Sequence, residues 1–257
     1  MSHPYKTRAG GATVTVFVPY DCANHCPFCI NKKEYADCSG FSLEAIFRSI
    51  RTMDSITPAC DFVFTGGEPL ANLDALQQML DAIPATHKIY INTTFPVQPH
   101  CPAEKMLAFT EKNKDKITCM NISRHLVKYV EESPDEVIAR IACPTRINCV
   151  LYKNYPAARL VDYAERFLPY GIPIQFRYDY TETTPENLYE QENDPILRDL
   201  KKYFTYMGLD GCRMRNGFHF LYKGLHMTYH KTLPYSTITE KGEDGITYDI
   251  LYDILIK

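Results

Sequence analysis

Three cysteines, Cys22, Cys26 and Cys29, stand at C-x-x-x-C-x-x-C spacing in YDCANHCPFCINKKEY, directly after the apolar run TVTVFVPY. An odd number of thiols on one loop does not make a disulfide framework, and a structural zinc site takes four ligands. Three thiolates can hold three irons of a [4Fe-4S] cube, whose usual ligand set is four cysteines. The fourth iron then keeps an open position for a ligand from outside, as a catalytic zinc keeps one for water. A different arrangement adds His25 to make a Cys3His zinc site in a non-catalytic binding module. A histidine directly before Cys26 is awkwardly placed on so tight a loop, and that arrangement leaves the next motif without a role.

That motif is TGGEP, Thr65 to Pro69. Taken together, C-x-x-x-C-x-aromatic-C (Cys22, Cys26, Phe28, Cys29) and the later Gly66-Gly67-Glu68 resemble the signature of the radical SAM (S-adenosylmethionine) superfamily. The resemblance spans roughly residues 13–180. It implies a partial (β/α)6 TIM-like barrel, with a [4Fe-4S] cluster and S-adenosylmethionine as cofactors. In that family SAM chelates the open iron through its amino and carboxylate groups. One electron from the reduced cluster cleaves a carbon–sulfur bond, and the resulting 5'-deoxyadenosyl radical abstracts hydrogen from substrate. An electron donor such as flavodoxin or ferredoxin is implied as a partner.

On the family pattern, Cys22, Cys26 and Cys29 ligate iron, and Phe28 lies beside the cofactor. Gly66 and Gly67 allow close backbone approach and offer carbonyls. Glu68 is a negative acceptor for the methionyl ammonium. Ser123 in NISRH matches a short polar residue used against SAM's ribose or carboxylate. Asn92 in INTT and Asn148 in RINCVLYKN fall where members carry polar residues facing the cofactor. A buried Asn in a core strand also needs partners for its amide.

The subfamily is less legible. With only Cys212 after Cys149, an auxiliary-cluster domain is excluded by spacing. Glycyl-radical activating enzymes share the motif order, and CINKK resembles the C-x-N after their third cysteine, but ISRH stands where many carry Asp-x-Lys. The leading expectation is a small or medium-sized polar substrate. Arg124, Arg177, Arg213 and Arg215 are candidates for an anionic group on it, such as a nucleotide or sugar phosphate. Cys212, His125 and Tyr178 are candidates for completing the chemistry by proton relay or hydrogen-atom return.

The elements needed to position these residues follow from periodicity. Strands are expected over 13–20, 61–66, 87–94, 116–123, 145–152 and 172–180, each a short apolar or β-branched run bounded by Gly, Pro or polar residues. Helical stripes lie between them. FSLEAIFRSIRTM carries Ser42 as N-cap, LANLDALQQMLDAI carries Asn72, and PAARLVDYAERFL has Pro156 in its first turn. CPAEKMLAFTEKN and SPDEVIARIA are shorter. The alternation predicts an α/β fold with parallel strands and ligands at their C-terminal ends. Residues 11–190 would form the barrel. Residues 191–257 would form a C-terminal helix (NDPILRDLKKYFTYMG), a hairpin (FHFLYKGLHMTYH) and a final strand (GITYDILYDILIK), together a β-rich cap and not an independent domain.

With 257 residues the chain can bury a full core, and a net charge of −3 without a basic block argues against a dedicated nucleic-acid binder. No apolar run nears a membrane span, and MSHPYKTRAG lacks a signal peptide's apolar core. A cytoplasmic, non-membrane protein is expected. Cys60, Cys119 and Cys149 sit in strand-like runs, where a thiol acts as a small buried hydrophobe.

Overall fold

The computed structural model describes residues 5–7, 11–20, 22, 24–32, 40–57, 59–96, 102–129, 132–184, 186–188, 190–209, 217–233, 237–251 and 253–257. Cys38, Cys101, Cys212, Arg213 and Arg215 lie outside the described residues.

After a short β1 (Tyr5–Thr7), six strands follow: β2 (Ala12–Val18), β3 (Cys60–Gly66), β4 (Lys88–Thr93), β5 (Ile117–Ser123), β6 (Thr145–Leu151) and β7 (Ile174–Tyr178). Each pairs in parallel with the next. Parallel neighbours need crossovers, supplied by α1 (Leu43–Ile56), α2 (Leu73–Ala82), α3 (Ala103–Lys112), the single turn α4 (Asp135–Ile138) and α5 (Leu160–Phe167). Ser42 Oγ accepts from Ala45 N–H at 3.1 Å and Asn72 Oδ1 from Ala75 N–H at 3.0 Å, so both expected N-caps are in place. Pro156 stands just before a 3-10 turn, Ala157–Arg159, that leads into α5.

Helix and strand faces meet in one apolar core. Ile46, Ile50 and Met53 of α1 and Leu160, Tyr163, Ala164 and Phe167 of α5 are buried at helical spacing. They join Val14 and Val16, Phe62 and Phe64, Ile89 and Ile91, Ile147 and Cys149, and Ile174 and Phe176 from alternate strand positions. All-parallel sheets are usually apolar on both faces. This sheet is not. The intervening positions are Thr13 and Thr15, Asp61 and Thr65, Lys88 and Asn92, Arg146 and Asn148, and Gln175 and Arg177, and they line a cavity.

The β-rich cap expected after residue 190 takes another form. After α6 (Pro195–Tyr203), β8 (Thr205–Leu209), β9 (Gly217–Tyr222) and β10 (Leu225–His230) extend the same sheet beyond β7, and β10 pairs with β7 in parallel. The helix expected to run through FTYMG stops at Tyr203, where Phe204 N–H closes it on Leu200 O at 2.9 Å. The expected final strand is two strands. β12 (Thr247–Leu251) joins β1 and β11 (Thr237–Lys241) in a separate small sheet, whereas β13 (Asp253–Ile256) pairs with β2. The large sheet thus has ten strands in the order β13-β2-β3-β4-β5-β6-β7-β10-β9-β8, and β13 and β8 are its open edges.

No helix among the described residues is long and apolar enough to cross a membrane.

Candidate active site

β2 ends in a segment that runs alongside the GGE turn. Gly67 N–H donates to Val18 O at 2.8 Å and Glu68 N–H to Tyr20 O at 3.2 Å, so the chain leaving β2 is held to the chain leaving β3. Gly66 has φ +116°, and a Cβ there would sit 2.4 Å from Val18 O. Only glycine fits that approach. Asn31, two residues past Cys29, adds a side-chain tie: its Nδ2 donates to Gly66 O at 3.1 Å and to Thr65 Oγ1 at 3.3 Å. The two motifs therefore form one unit.

Cys22, Cys26 and Cys29 are half-buried and not in disulfides, and all three line a cavity of about 580 Å³ that also contains Gly66, Gly67 and Glu68. Among the described residues no three His, Cys, Asp or Glu side chains converge closely enough for a single metal ion. Asn24 Nδ2 lies 3.5 Å from Cys22 Sγ, a contact of the kind that tunes cluster sulfur. Burial, the largest influence, raises the Cys22 thiol's pKa, partly offset by hydrogen bonds from Asn24. The strand cysteines are buried much as expected. Burial pushes Cys60 up to about 11 and Cys149 up to about 12, so both stay protonated. Cys119 is only half-buried.

Glu68, expected to offer a free acceptor, has four protein donors. Oε1 accepts from Leu70 N–H and Thr93 Oγ1–H, and Oε2 from Thr94 N–H and Thr94 Oγ1–H, the last two at 2.9 Å. A carboxylate has about four lone-pair sites. Burial raises the Glu68 pKa, and these four donors oppose the rise. Its visible work is to clamp the GGE turn to the end of β4.

The other expected residues divide by strand parity. Asn92, Ser123 and Asn148 line the cavity. Asn121 Nδ2 donates to Asn92 Oδ1 at 2.7 Å, whereas Asn148 Oδ1 is buried without a hydrogen-bond partner among the described residues. Arg177 lines the cavity, but Tyr178 is next on the strand and points to the opposite face, so it is not among the lining residues.

Arg124 also lies away from the cavity. It is fully buried, and its guanidinium donates to Thr94 O and Ser123 O (both 2.8 Å), Ser133 O (3.2 Å) and Ser133 Oγ (3.0 Å). It staples the ends of β4 and β5 to the following loop and is not placed to meet a substrate.

His125 lines the cavity as a neutral ring. Its Nδ1 accepts from Val150 N–H at 3.1 Å. Burial, helped by the Arg124 charge, pushes its pKa down to about 3. Its ring packs edge-on to Phe28 with centroids 4.8 Å apart, and Tyr129 and Tyr152 pack on Phe28 at 5.5 and 5.6 Å. Phe28 is thus a wedge that holds the cysteine loop against β5 and β6.

Several site residues escaped the sequence reading: Thr93, Thr94, Asn121, Arg146, Gln175, His230 and Thr232, while Asn31 was marked only as the C-x-N position. Arg146 Nε donates to Asn121 Oδ1 at 2.5 Å, extending the Asn92–Asn121 chain. Polar/apolar alternation in RINCV and IQFRY would have marked Arg146 and Gln175, because parallel strands seldom alternate unless one face meets solvent or ligand.

Residues 9–95 match a family described as a 4Fe-4S single cluster domain, a stretch holding both the cysteine loop and the GGE turn. No curated protein matches the chain. Among solved structures, Streptococcus suis SuiB is similar at 18% identity and TM-score 0.52, covering 79% of this chain and 46% of SuiB. The structure titled native anSMEcpe with bound AdoMet and Kp18Cys peptide is similar at 17% identity and TM-score 0.47, covering 74% of this chain and 57% of that one. The chain therefore spans about half the length of these proteins, and the SuiB likeness is one of fold.

Proposed function

We propose that this chain is a radical SAM enzyme whose β2–β7 unit is a partial (β/α)6 barrel with the active site along its polar inner face. One observation carries the reading: two motifs far apart in sequence are knit into one unit at one end of a single cavity, by Asn31 and by the backbone bonds of Gly67 and Glu68. The cluster-domain match over residues 9–95 supports it.

Cys22, Cys26 and Cys29 would hold a [4Fe-4S] cluster. The Gly66-Gly67 backbone, Asn92, Ser123 and Asn148 would take S-adenosylmethionine, with Asn148 offering its partnerless Oδ1. When bound, the two cofactors supply reductive carbon–sulfur cleavage and a 5'-deoxyadenosyl radical that abstracts hydrogen. The chain's own part is to orient and exclude. Glu68 fixes the turn through Thr93 and Thr94, and Phe28 and His125 close the cavity behind the cysteine loop. The substrate is a polar small or medium-sized molecule. A flavodoxin- or ferredoxin-type protein supplies the electron.

The test is anaerobic reconstitution with iron and sulfide, reduction with dithionite, addition of SAM, and chromatography for 5'-deoxyadenosine. Product that depends on all three cysteines is the expected result. Cys26→Ala should lose the cluster while keeping its far-UV circular dichroism; a brown, fully loaded Cys26→Ala protein would overturn the ligand set.

A further inference from the structure

Arg177 is a cavity residue whose charge and hydrogen-bonding capacity are visibly unmet among its described neighbours. It projects from the C-terminal end of β7 into the cavity. Its Nη1 donates to Gln175 Oε1 and its Nη2 to Thr232 Oγ1, both at 3.1 Å, and the Tyr180 ring lies 5.0 Å from Cζ. These partners are neutral. No carboxylate forms an ion pair with Arg177 among the described residues, and Asp179, two positions on, turns its Oδ1 to Thr181 N–H and Oγ1–H instead. Of five guanidinium N–H donors, two are taken, and Nε is buried with no partner. A guanidinium held in place by neutral groups, with an unfilled inner donor, is a receptor for a two-oxygen anion. Gln175 and His230 are themselves buried and line the cavity on either side, His230 being Arg177's register partner on β10.

Position separates this cluster from the GGE turn. Between β3, which carries the GGE turn, and β7 stand β4, β5 and β6. Four strand spacings of ~4.8 Å put the two ends roughly 19 Å apart along the sheet. Asn148, on β6, lies between them and is in register with Gln175.

We propose that the β7–β10 end of the cavity is an anion subsite, in which Arg177, steadied by Gln175, Thr232 and Tyr180, takes a carboxylate or phosphate group of the substrate. This rests on reading the cavity as the active site, and it locates the substrate's charged end on β7 and β10, away from the GGE turn on β3. The group to be altered would then face Asn148 and the middle of the sheet.

The test needs no substrate. Thermal unfolding of the full chain is followed in chloride-free zwitterionic buffer with sodium phosphate or sodium acetate added at matched sodium. At least one anion should raise the wild-type midpoint, and the larger rise identifies the group. Arg177→Gln should abolish that rise, Arg177→Lys should keep part of it, and Cys26→Ala should keep it whole. A midpoint that neither anion moves overturns the subsite, as does a rise that survives intact in Arg177→Gln. Should Arg177→Gln fail to fold, anion protection of Arg177 against phenylglyoxal, read by peptide mass spectrometry on the wild type, decides instead. SAM should bind Arg177→Gln as tightly as wild type; a marked loss assigns the guanidinium to the cofactor's carboxylate and overturns the proposal. The anion readings need neither cluster nor SAM, so their failure is distinguishable from absence of 5'-deoxyadenosine.

Discussion

Glu68 and His125 show how a residue's chemistry is set by its neighbours. Glu68 is 2% exposed and its charge is tolerable only because four donors surround it. Glu68→Gln replaces one acceptor oxygen with an amide donor and leaves two buried donors facing the wrong group. The expected loss is about 1–3 kcal/mol of stability, read as a lower urea midpoint, with cluster content unchanged. The same change should weaken SAM binding by loosening the turn, which calorimetry would register.

His125 makes a pH prediction. Its folded pKa of about 3 lies below the unfolded value near 6.5. Between those limits the unfolded chain binds a proton that the folded chain does not, so this contribution is present above the unfolded value and is lost as pH falls towards the folded one. The slope is about 1.4 kcal/mol per pH unit at most. His125→Asn keeps an acceptor for Val150 N–H and should flatten the acid limb of stability against pH; an identical limb would refute neutral burial.

At the scale of elements, the motif glycine is the sharpest test. Gly66→Ala adds a Cβ 2.4 Å from Val18 O at a φ of +116°. Backbone strain alone costs about 1–3 kcal/mol, and the displaced β2–β3 exits should lower iron loading as well as the thermal midpoint. Iron content at the wild-type level in a folded Gly66→Ala protein would show that the close approach is dispensable.

The six parallel strands and their capped helices could be read from sequence because each is a local pattern: an apolar run, a cap, a stripe. The same locality explains the misses. TYMGL follows a helical stripe without a break and becomes a strand only by pairing with β9, across an irregularity at Tyr206–Gly208. DILYDILI looks like one strand, but its two parts join different sheets. Arg124 looked like a substrate residue because it follows Ser123 at a strand end. Burial and three backbone carbonyls decided otherwise, and nothing local announces them. The motif residues at the cysteine loop and the GGE turn were legible. The ties between them were legible only in Asn31, the C-x-N position.

At the scale of the molecule, residues 253–256 cover the outer edge of the strand that leads into the cysteine loop. β13 pairs in parallel with β2, Thr13 to Val16 against Asp253 to Ile256, and Thr15 Oγ1 donates to Asp253 Oδ1 at 2.8 Å. Truncation after Leu251 would leave β2 as an open, apolar edge, the arrangement that invites strand addition between molecules. Light scattering should then show association, and iron loading should fall because β2 carries the cysteine loop. A monodisperse, fully loaded truncation would deny β13 that role.

The same pairing sets an order of events. Thr15 and Asp253 are 238 positions apart, whereas β2 meets β3 across a single helix. Long-range strand contacts form late, because the entropy of closing the intervening loop must be overcome before the contact rewards it. On the ribosome, β2 can pair with β3 through β7 as they emerge, but its outer edge waits for the segment around Asp253. The cysteine loop is thus anchored on a strand whose second neighbour, β13, is made only after β3 to β10, so its outer edge is completed later than its inner one.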